Sequence, residues 1–421
     1  MVYIVSKNGQ PLMPTANHRM VRLLLKQNKA KVIRRTPFTI RLFVSVQHYL
    51  QPISLGIDAG SKHIGVSATT ASAEVYAADV EIRNDIVKLL SERREFRRGR
   101  RNRKTRYRSP RFDNRVKSKT KGWLAPSIEA KISSHVKVVE DVTKILPITN
   151  IVAECASFDL QKLKADMQGL EHPKGAEYQQ GEMLGFWNAR EYVLFRDGHM
   201  CQCCKGKSKD KVLNVHHIQS RQIGGDAPNN LITLCETCHK GYHAGTVKLP
   251  ASIERGAVFK DAVFMGIMRW AFYNKLKAMY PNVSMTYGYI TKNTRINSNV
   301  EKTHIADARC ISGNPYAVPL EYYFVQKKVR CHNRQLHKAT ILKGGVRKRN
   351  QAPYEVYGFR LFDKVRYQGK ECFITGRRTG GYFAVSTIDG TKLSNSVSYK
   401  KLRLLEKAKK YIKERRATSS P

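Results

Sequence analysis

The chain has 421 residues, 41% of them hydrophobic, and 76 Lys+Arg against 33 Asp+Glu give it a net charge of +43. The length exceeds one typical domain and supplies enough apolar material for real cores. The charge opposes compaction unless a polyanion neutralises it, which makes nucleic acid the leading partner, although a non-catalytic ribosomal-type protein would share that charge. No stretch approaches the ~20 apolar residues of a membrane span. MVYIVSKNGQ also lacks a signal peptide's apolar core, so a cytoplasmic location is expected.

Residues 1–50 read as a small unit. It has a strand at Tyr3 to Ser6, the turn GQPLMP, a basic helix from Arg19 to Lys29, and strands at Lys31 to Ile33 and Phe38 to Val44. Arg19, Arg22, Lys26 and Lys29 recur at helical spacing and give that helix a cationic face. Ile53 to Val66, ISLGIDAGSKHIGV, is the stretch around which the rest of the chain is organised. An apolar strand (Ile53, Leu55, Ile57) delivers Asp58 at its end. After a glycine-flanked turn, runs at His63 to Thr69 and Glu74 to Val80 complete a β-meander. An acid at the mouth of such a meander is where a ribonuclease H-like fold places its first magnesium ligand, although Asp after a buried strand also serves as a plain turn residue.

Arg93 to Lys121 holds fifteen Lys or Arg against two acids, Glu95 and Asp113. Ser91 can cap a helix with Glu92 in its first turn. Arg94, Arg97, Arg98, Arg101, Lys104 and Arg108 then follow the helical repeat, as suits a helix laid along a nucleic-acid backbone. Trp123 to Leu146 reads as a helix with an apolar stripe at Ala130, Ile132, Val136, Val139 and Val142. Ile148 to Ala153 reads as a strand ending in Glu154, the second acid.

Five of the nine cysteines fall between Cys201 and Cys238. Cys201-x-x-Cys204 and Cys235-x-x-Cys238 form two knuckles suited to a closed, structural zinc. Cys203 is spare, with a register swap against Cys204 left open. Cys155, Cys310, Cys331 and Cys372 read as buried thiols. Between the knuckles lie His216-His217-Ile218, Gly224-Gly225 and Asn229-Asn230-Leu231, and His239 follows the last cysteine. That is the strand, turn, strand and helix of a ββα-metal site. His243, one turn beyond His239, reads as a neighbour rather than a ligand.

A linker from Lys248 to Arg255 precedes an amphipathic helix at Phe259 to Tyr280 and a strand at Val283 to Thr291. Glu301 to Ser312 reads as a helix carrying His304 and Asp307 on one face. Lys327 to Arg349 is basic and loop-like. Four short alternating segments beyond it, separated by YQGK, RTGG and IDGT, predict a small SH3-like β-barrel. Lys407 to Arg416 reads as a basic terminal helix or a disordered tail.

Chemically, Asp58, Glu154 and Asp307 with His304 form the kind of set with which two magnesium ions cut a phosphodiester. The histidine hairpin offers a second recipe. His217 would act as general base, His216 and His239 would hold one magnesium, and Asn230 would orient the histidine loop through backbone hydrogen bonds.

The order of these motifs (the Asp58 meander, the arginine helix, Glu154, then HHI, NNL and CETCH, then HIADA) resembles the IscB family over essentially the whole chain. That family comprises transposon-encoded, RNA-guided DNA endonucleases. The resemblance implies a multidomain α/β fold. GQPLMP would belong to a PLMP domain at 1–50. RuvC segments at 51–90, 123–177 and 251–322 would form a split ribonuclease H-like core, with an arginine-rich bridge helix at 91–122. An inserted HNH domain with a four-cysteine zinc would occupy 178–250. The C-terminal barrel at 323–421 would meet RNA and read a target-adjacent motif. The resemblance also implies a monomeric protein within a ribonucleoprotein, guided by an omega RNA. The HNH centre would cut the guide-paired strand of double-stranded DNA and the RuvC centre the displaced one, with sequence choice delegated to base pairing. The family's CRISPR relatives commonly carry Asp before the catalytic His and Asn at the place of His239; both are histidines here, which lowers the negative charge around magnesium. Two rivals stand beside this reading, an RNA-independent HNH or homing-type endonuclease and a non-catalytic nucleic-acid-binding scaffold. An arginine helix that interrupts the nuclease core argues against the first, and filled chemical positions argue against the second.

Overall fold

The structure, a computed structural model, describes residues 1–47, 49–101, 123–155, 186, 188–210, 212–219, 228–250, 262–330, 340–341, 347–348 and 353–418. The chain divides into two compact units, one of Met1–Pro110, Lys137–Val152 and Asn293–Pro421, the other of Arg111–Val136 and Ala153–Lys292.

At the start of the first unit, β1 (Val2–Val5), β2 (Pro11–Thr15), β3 (Ala30–Arg34) and β4 (Thr39–Leu42) form a sheet in the order β2-β1-β4-β3. Helix α1 (His18–Lys26) packs Val21 into its core with Val2, Ile4, Leu12 and Ile40. Asn17 caps α1 by accepting the Met20 N–H at 2.9 Å. The helix stops three residues short of the expected Lys29 because Asn28 turns left-handed, with φ 53°, a conformation asparagine tolerates at a helix end.

The expected meander is present as β5 (Ser54–Ala59), β6 (His63–Thr69) and β7 (Glu74–Glu81), antiparallel, with Asp58 and Asp79 both opposite Gly65. Its buried residues include Leu55, Ile57, Ile64, Val66 and Val80. Helix α2 (Ile86–Arg101) begins before Ser91, which therefore lies inside it rather than capping it; the Asp85 carbonyl accepts the first-turn Leu89 N–H at 3.0 Å. Helix α3 (Pro126–Thr143) buries Ile132, Val136, Val139 and Val142. Strand β8 (Asn150–Glu154) comes next, and the Thr149 N–H that leads into it reaches the Ile53 carbonyl at 3.0 Å. The division between the units falls inside β8.

In the second unit, α4 (Ala189–Arg196), the hairpin β9 (Leu213–His217) and β10 (Leu231–Cys235), and α5 (Glu236–His243) form one module. Helix α6 (Ala262–Met279) and β11 (Val283–Thr286) come after it. The strand expected to reach Thr291 ends at Thr286. Tyr287 and Gly288 turn the chain into α7 (Gly288–Asn297), with the Tyr287 carbonyl accepting from Ile290 and Thr291. Residues 251–255 of the expected linker and 259–261 of the expected helix lie outside the described residues.

Back in the first unit, α8 (His304–Ile311) leads to β12 (Tyr322–Lys328), parallel to β7. Lys327 and Lys328, expected in a loop, are therefore strand. Two short strands, β13 (Thr340–Ile341) and β14 (Arg347–Lys348), pair antiparallel; the rest of that basic stretch lies outside the described residues. Next come β15 (Lys364–Tyr367), β16 (Lys370–Arg377), β17 (Tyr382–Ser386), β18 (Lys392–Ser398) and β19 (Arg403–Glu406). They form an antiparallel sheet in the order β18-β17-β16-β15-β19 over Val365, Cys372, Ile374, Phe383 and Val385. The four alternating segments expected there are strands of this sheet. The end of the chain departs from expectation: β20 (Tyr411–Ala417) is neither helix nor tail but pairs antiparallel with β12. Its charge pointed to a solvated segment, yet Tyr411 and Ile412 are buried and anchor it as a sheet strand.

Candidate active sites

Both metal-competent clusters of the second unit hang on α5. Cys235 is its N-cap, and its sulfur accepts the Cys238 N–H at 3.4 Å. Cys201 and Cys204 come from the turns after α4, and all four sulfurs lie within 4.8 Å of one another, with Cys204 and Cys235 3.8 Å apart. A tetrahedral zinc–thiolate site has sulfur–sulfur edges of ~3.8 Å, whereas a disulfide needs about 2.05 Å. The donor set fits zinc. The Ser208 hydroxyl, 3.1 Å from the Cys235 sulfur, also holds the Cys204 thiol down to about 6, which favours thiolate. Cys203 turns to the Lys248 carbonyl and stays outside the cluster. Cys155, Cys310 and Cys372 are buried thiols, and Cys331 lies outside the described residues.

The histidines are placed by a braced hairpin. Arg196 donates to the carbonyls of Pro228 at 2.8 Å and Leu231 at 2.9 Å, and Asp197 accepts the Thr233 N–H at 2.8 Å. His216 is buried, its ring 5.0 Å from His239, 5.1 Å from His243 and 4.7 Å from Tyr242. One ring nitrogen from each of His216, His239 and His243 lies within 4.8 Å of the other two. His216 Nε2 is buried with no hydrogen-bond partner, a loss of about 1–3 kcal/mol that a cation would cancel. Burial, then the neighbouring imidazoles, pushes His216 down to about 4, and burial lowers His239 as well, so both offer lone pairs at neutral pH.

Successive strand residues face opposite sides, so His217 does not compete with His216 for the cluster. Buried Asn230 fixes the loop beyond it. Its side chain accepts the Gln219 N–H at 2.8 Å and donates to the Gln219 carbonyl at 3.1 Å, and its own carbonyl accepts the Ile218 N–H at 2.8 Å.

A different arrangement stands on the sheet of the first unit. Thr303 caps α8 by accepting the Ala306 N–H at 3.0 Å. The helix lies directly on β5 and β6 because Gly56 and Gly65 leave room. A Cβ on Gly56 would sit 2.0 Å from the Ala308 carbonyl oxygen, and one on Gly65 would sit 1.9 Å from that of His304. This approach puts His304 Nδ1 2.7 Å from Asp58 Oδ2, while Asp307 pairs with Arg295 at 3.0 Å. His304 also stacks on His63, with rings 5.4 Å apart and 4° from parallel, and His63 meets Asp79 at 3.0 Å. The hydrogen bond that Asp58 accepts from His304 raises the His304 pKa; burial, then the charge of Asp58, raises that of Asp307. A carboxylate whose ionisation burial and a neighbouring carboxylate oppose, as at Asp307, is a donor that a hard cation would relieve. In the second unit, buried Glu154 closes β8 and pairs with Arg269 at 3.3 Å. Asp58 and Asp307 thus stand in the first unit and Glu154 in the second.

Of the nucleic-acid residues expected on α2, Arg94, Arg97 and Arg98 are exposed. The Arg101 side chain and residues Lys104 and Arg108 lie outside the described residues. His243, expected as a neighbour of the site, has a ring nitrogen in the same group as His216 and His239, as its i+4 spacing from His239 on one helix face allows.

Residues 201–245, which contain both clusters, match the family model described as HNH endonuclease. The module is an HNH endonuclease domain. Residues 2–181 match the model described as RRXRR protein. No curated protein matches the chain. Among solved structures, it is similar to Streptococcus thermophilus Cas9 in complex with the AGAA PAM, at 16% identity over 45% of this chain and 26% of that one, with a TM-score of 0.23. The same Cas9 in complex with the GGAA PAM gives 17% identity over 44% of this chain and 26% of that one, with a TM-score of 0.22. The chain thus spans about a quarter of their length, and superpositions this loose carry no argument about fold. Among the described residues no helix is long and apolar enough to cross a membrane.

Proposed function

We propose that this protein is an RNA-guided DNA endonuclease that cuts the two strands of a duplex at two separate centres. The observation that carries the reading is the HNH trio of His216, His239 and His243, closed around a buried, unpaired Nε2, in a chain of net charge +43. The RRXRR match supports an IscB-type organisation, because that family occurs in IscB- and Cas9-like nucleases.

A divalent cation on the trio would supply positive charge to the scissile phosphate and its leaving oxygen. Three imidazoles without a carboxylate favour a transition ion over magnesium, which revises the expectation of magnesium on His216 and His239 alone. His217 takes the proton of the attacking water, and Asn230 holds the loop that aims it. The zinc on the four cysteines is structural. On the sheet, Asp58 and Asp307 supply oxygen donors that suit magnesium. Arg295 and Arg269 act as counter-ions to Asp307 and Glu154, and His304 orients Asp58. The HNH centre cuts the guide-paired strand and the sheet centre, of RuvC type, the displaced strand. Guide RNA lies along the Arg94–Arg97–Arg98 face of α2, and the C-terminal sheet meets RNA and the target-adjacent motif.

The test is to sequence the RNA that copurifies with the protein and then to assay plasmid cleavage with that RNA. One discrete RNA that directs double-strand cleavage is the expected result. Cleavage indifferent to the bound RNA would make the protein an RNA-independent HNH endonuclease, and binding without cleavage under any divalent ion would leave a scaffold.

A further inference from the structure

A turn ahead of the C-terminal sheet holds a side chain in a costly place. Val356 and Phe359 exchange backbone hydrogen bonds of 3.0 and 2.9 Å across two residues, Tyr357 and Gly358, whose φ angles are 46° and 79°. Two positive φ values at the centre define a type I′ turn, whose first position favours Asn, Asp or Gly. A tyrosine there is strained, and backbone strain of this kind persists where a side chain must be held in place.

What the strain holds is a ring. Tyr357 stacks on Tyr399 with centroids 4.4 Å apart and planes 18° from parallel, yet it remains 55% exposed. Tyr399 packs in turn against the sheet's buried core, so the pile runs from core to Tyr399 to Tyr357 to solvent. Gly381 leaves space for it, since a Cβ there would lie 3.0 Å from ring carbons of both tyrosines. Beside the pile, Tyr354 is 61% exposed, with the Arg360 guanidinium 4.9 Å over its ring, and the Arg377 guanidinium meets its carbonyl. Arg378 bonds Ser396 near Gly381, and Lys400 and Lys401 are exposed next to Tyr399. Little apolar surface is buried by a half-exposed ring in a strained turn, so fold stability is a poor account of Tyr357.

We propose that Tyr357, backed by Tyr399, is a stacking platform for an unpaired nucleobase of RNA, with the surrounding arginines and lysines taking the adjacent phosphates. A duplex hides its base faces, whereas RNA loops and single-stranded segments present theirs to aromatic side chains. The inference rests on the reading that the protein binds RNA and is independent of its cutting DNA.

The full-length protein is titrated with a single-stranded oligouridylate of ~12 nucleotides carrying 5-iodouridine, at high salt so that phosphate contacts weaken and stacking remains. Photocrosslinking to Tyr357 is expected. Tyr357→Phe should bind like the parent. Tyr357→Asn, which suits the turn, should bind about tenfold more weakly while melting no lower than the parent. A paired RNA of the same length should be indifferent to both changes. Unchanged binding by Tyr357→Asn, a crosslink confined to other residues, or a preference for the matching single-stranded DNA would overturn the inference. Plasmid cleavage by the same variants reads the nuclease proposal separately, so either can fail alone.

Discussion

The histidine module and the sheet centre gather different donors, thiolates and imidazoles in one and carboxylates in the other, at opposite ranges along the chain. In the module, one helix of eight residues, α5, carries Cys238, His239 and His243 and is capped by Cys235. Among the described residues, the hydrocarbon side chains buried with the cysteines are Ile232 and Leu234. The sheet centre instead joins β5 to α8 across most of the sequence, over a core that includes Leu55, Ile57, Ile64 and Val66. A core this small would make the module dependent on a structural ion, whereas the sheet stands on its own packing.

The largest expected effect breaks that comparison at its weakest point. A structural zinc is worth ~10–16 kcal/mol in small domains, so Cys235→Ser, or chelation, should unfold the module and take both of its clusters with it. Cutting of one strand should vanish while nicking of the other survives, read on strand-resolved gels. A thermal melt and a nicking pattern that ignored Cys235→Ser would remove the structural zinc. Next come the chemical groups themselves. His217→Ala should slow its strand by ~10²–10⁴-fold and leave the other, and Asp58→Ala should do the converse; one substitution that stopped both cuts while binding persisted would merge the two centres into one.

A smaller effect sharpens the ligand count. With His243 as third ligand, His243→Ala should raise the divalent ion concentration for half-maximal HNH cutting by about 10–100-fold. A requirement identical to the parent's would return His243 to the role of bystander.

How much of this was legible depends on the same contrast in range. Two Cys-x-x-Cys pairs and a His-His strand are short patterns with fixed spacing, and they survive being read one segment at a time. The meander was legible for the same reason, through alternation and glycine turns. Gly56 and Gly65 carry no local signal of their purpose, since letting α8 touch two strands depends on a helix that arrives far later in the chain. The i+4 spacing of His239 and His243 was legible too, but it suits a neighbour as well as a ligand; the ring of His216, which comes from another element, brings the three nitrogens together. Charge misled at the C-terminus, because the buried anchors Tyr411 and Ile412 of β20 are outnumbered by lysine and arginine. The strain at Tyr357 had no sequence signature at all, since a positive φ at tyrosine is imposed by the turn around it.

The sheet unit should respond to pH where the module responds to chelation, and Lys413 on β20 is the place to look. Burial pulls its pKa down to about 8; Asp141, 3.9 Å away, opposes the shift and Arg34 adds to it. In the unfolded chain a lysine titrates near ~10.4. Below about pH 8 both states hold the proton and the folded state bears the full penalty, ~3 kcal/mol by linkage. Between those values the unfolded chain binds more protons, so stability contributed by this group rises with pH. Lys413→Met removes the penalty and leaves Asp141 its 2.9 Å bridge to Lys137. The variant should therefore melt a few degrees above the parent at pH 7, at ~2–4 °C per kcal/mol, with the gap closing as the pH approaches ~10. A variant that melted lower at pH 7 would show that the ammonium's pairing with Asp141 outweighs its burial, and the sheet would then owe part of its independence to an internal ion pair.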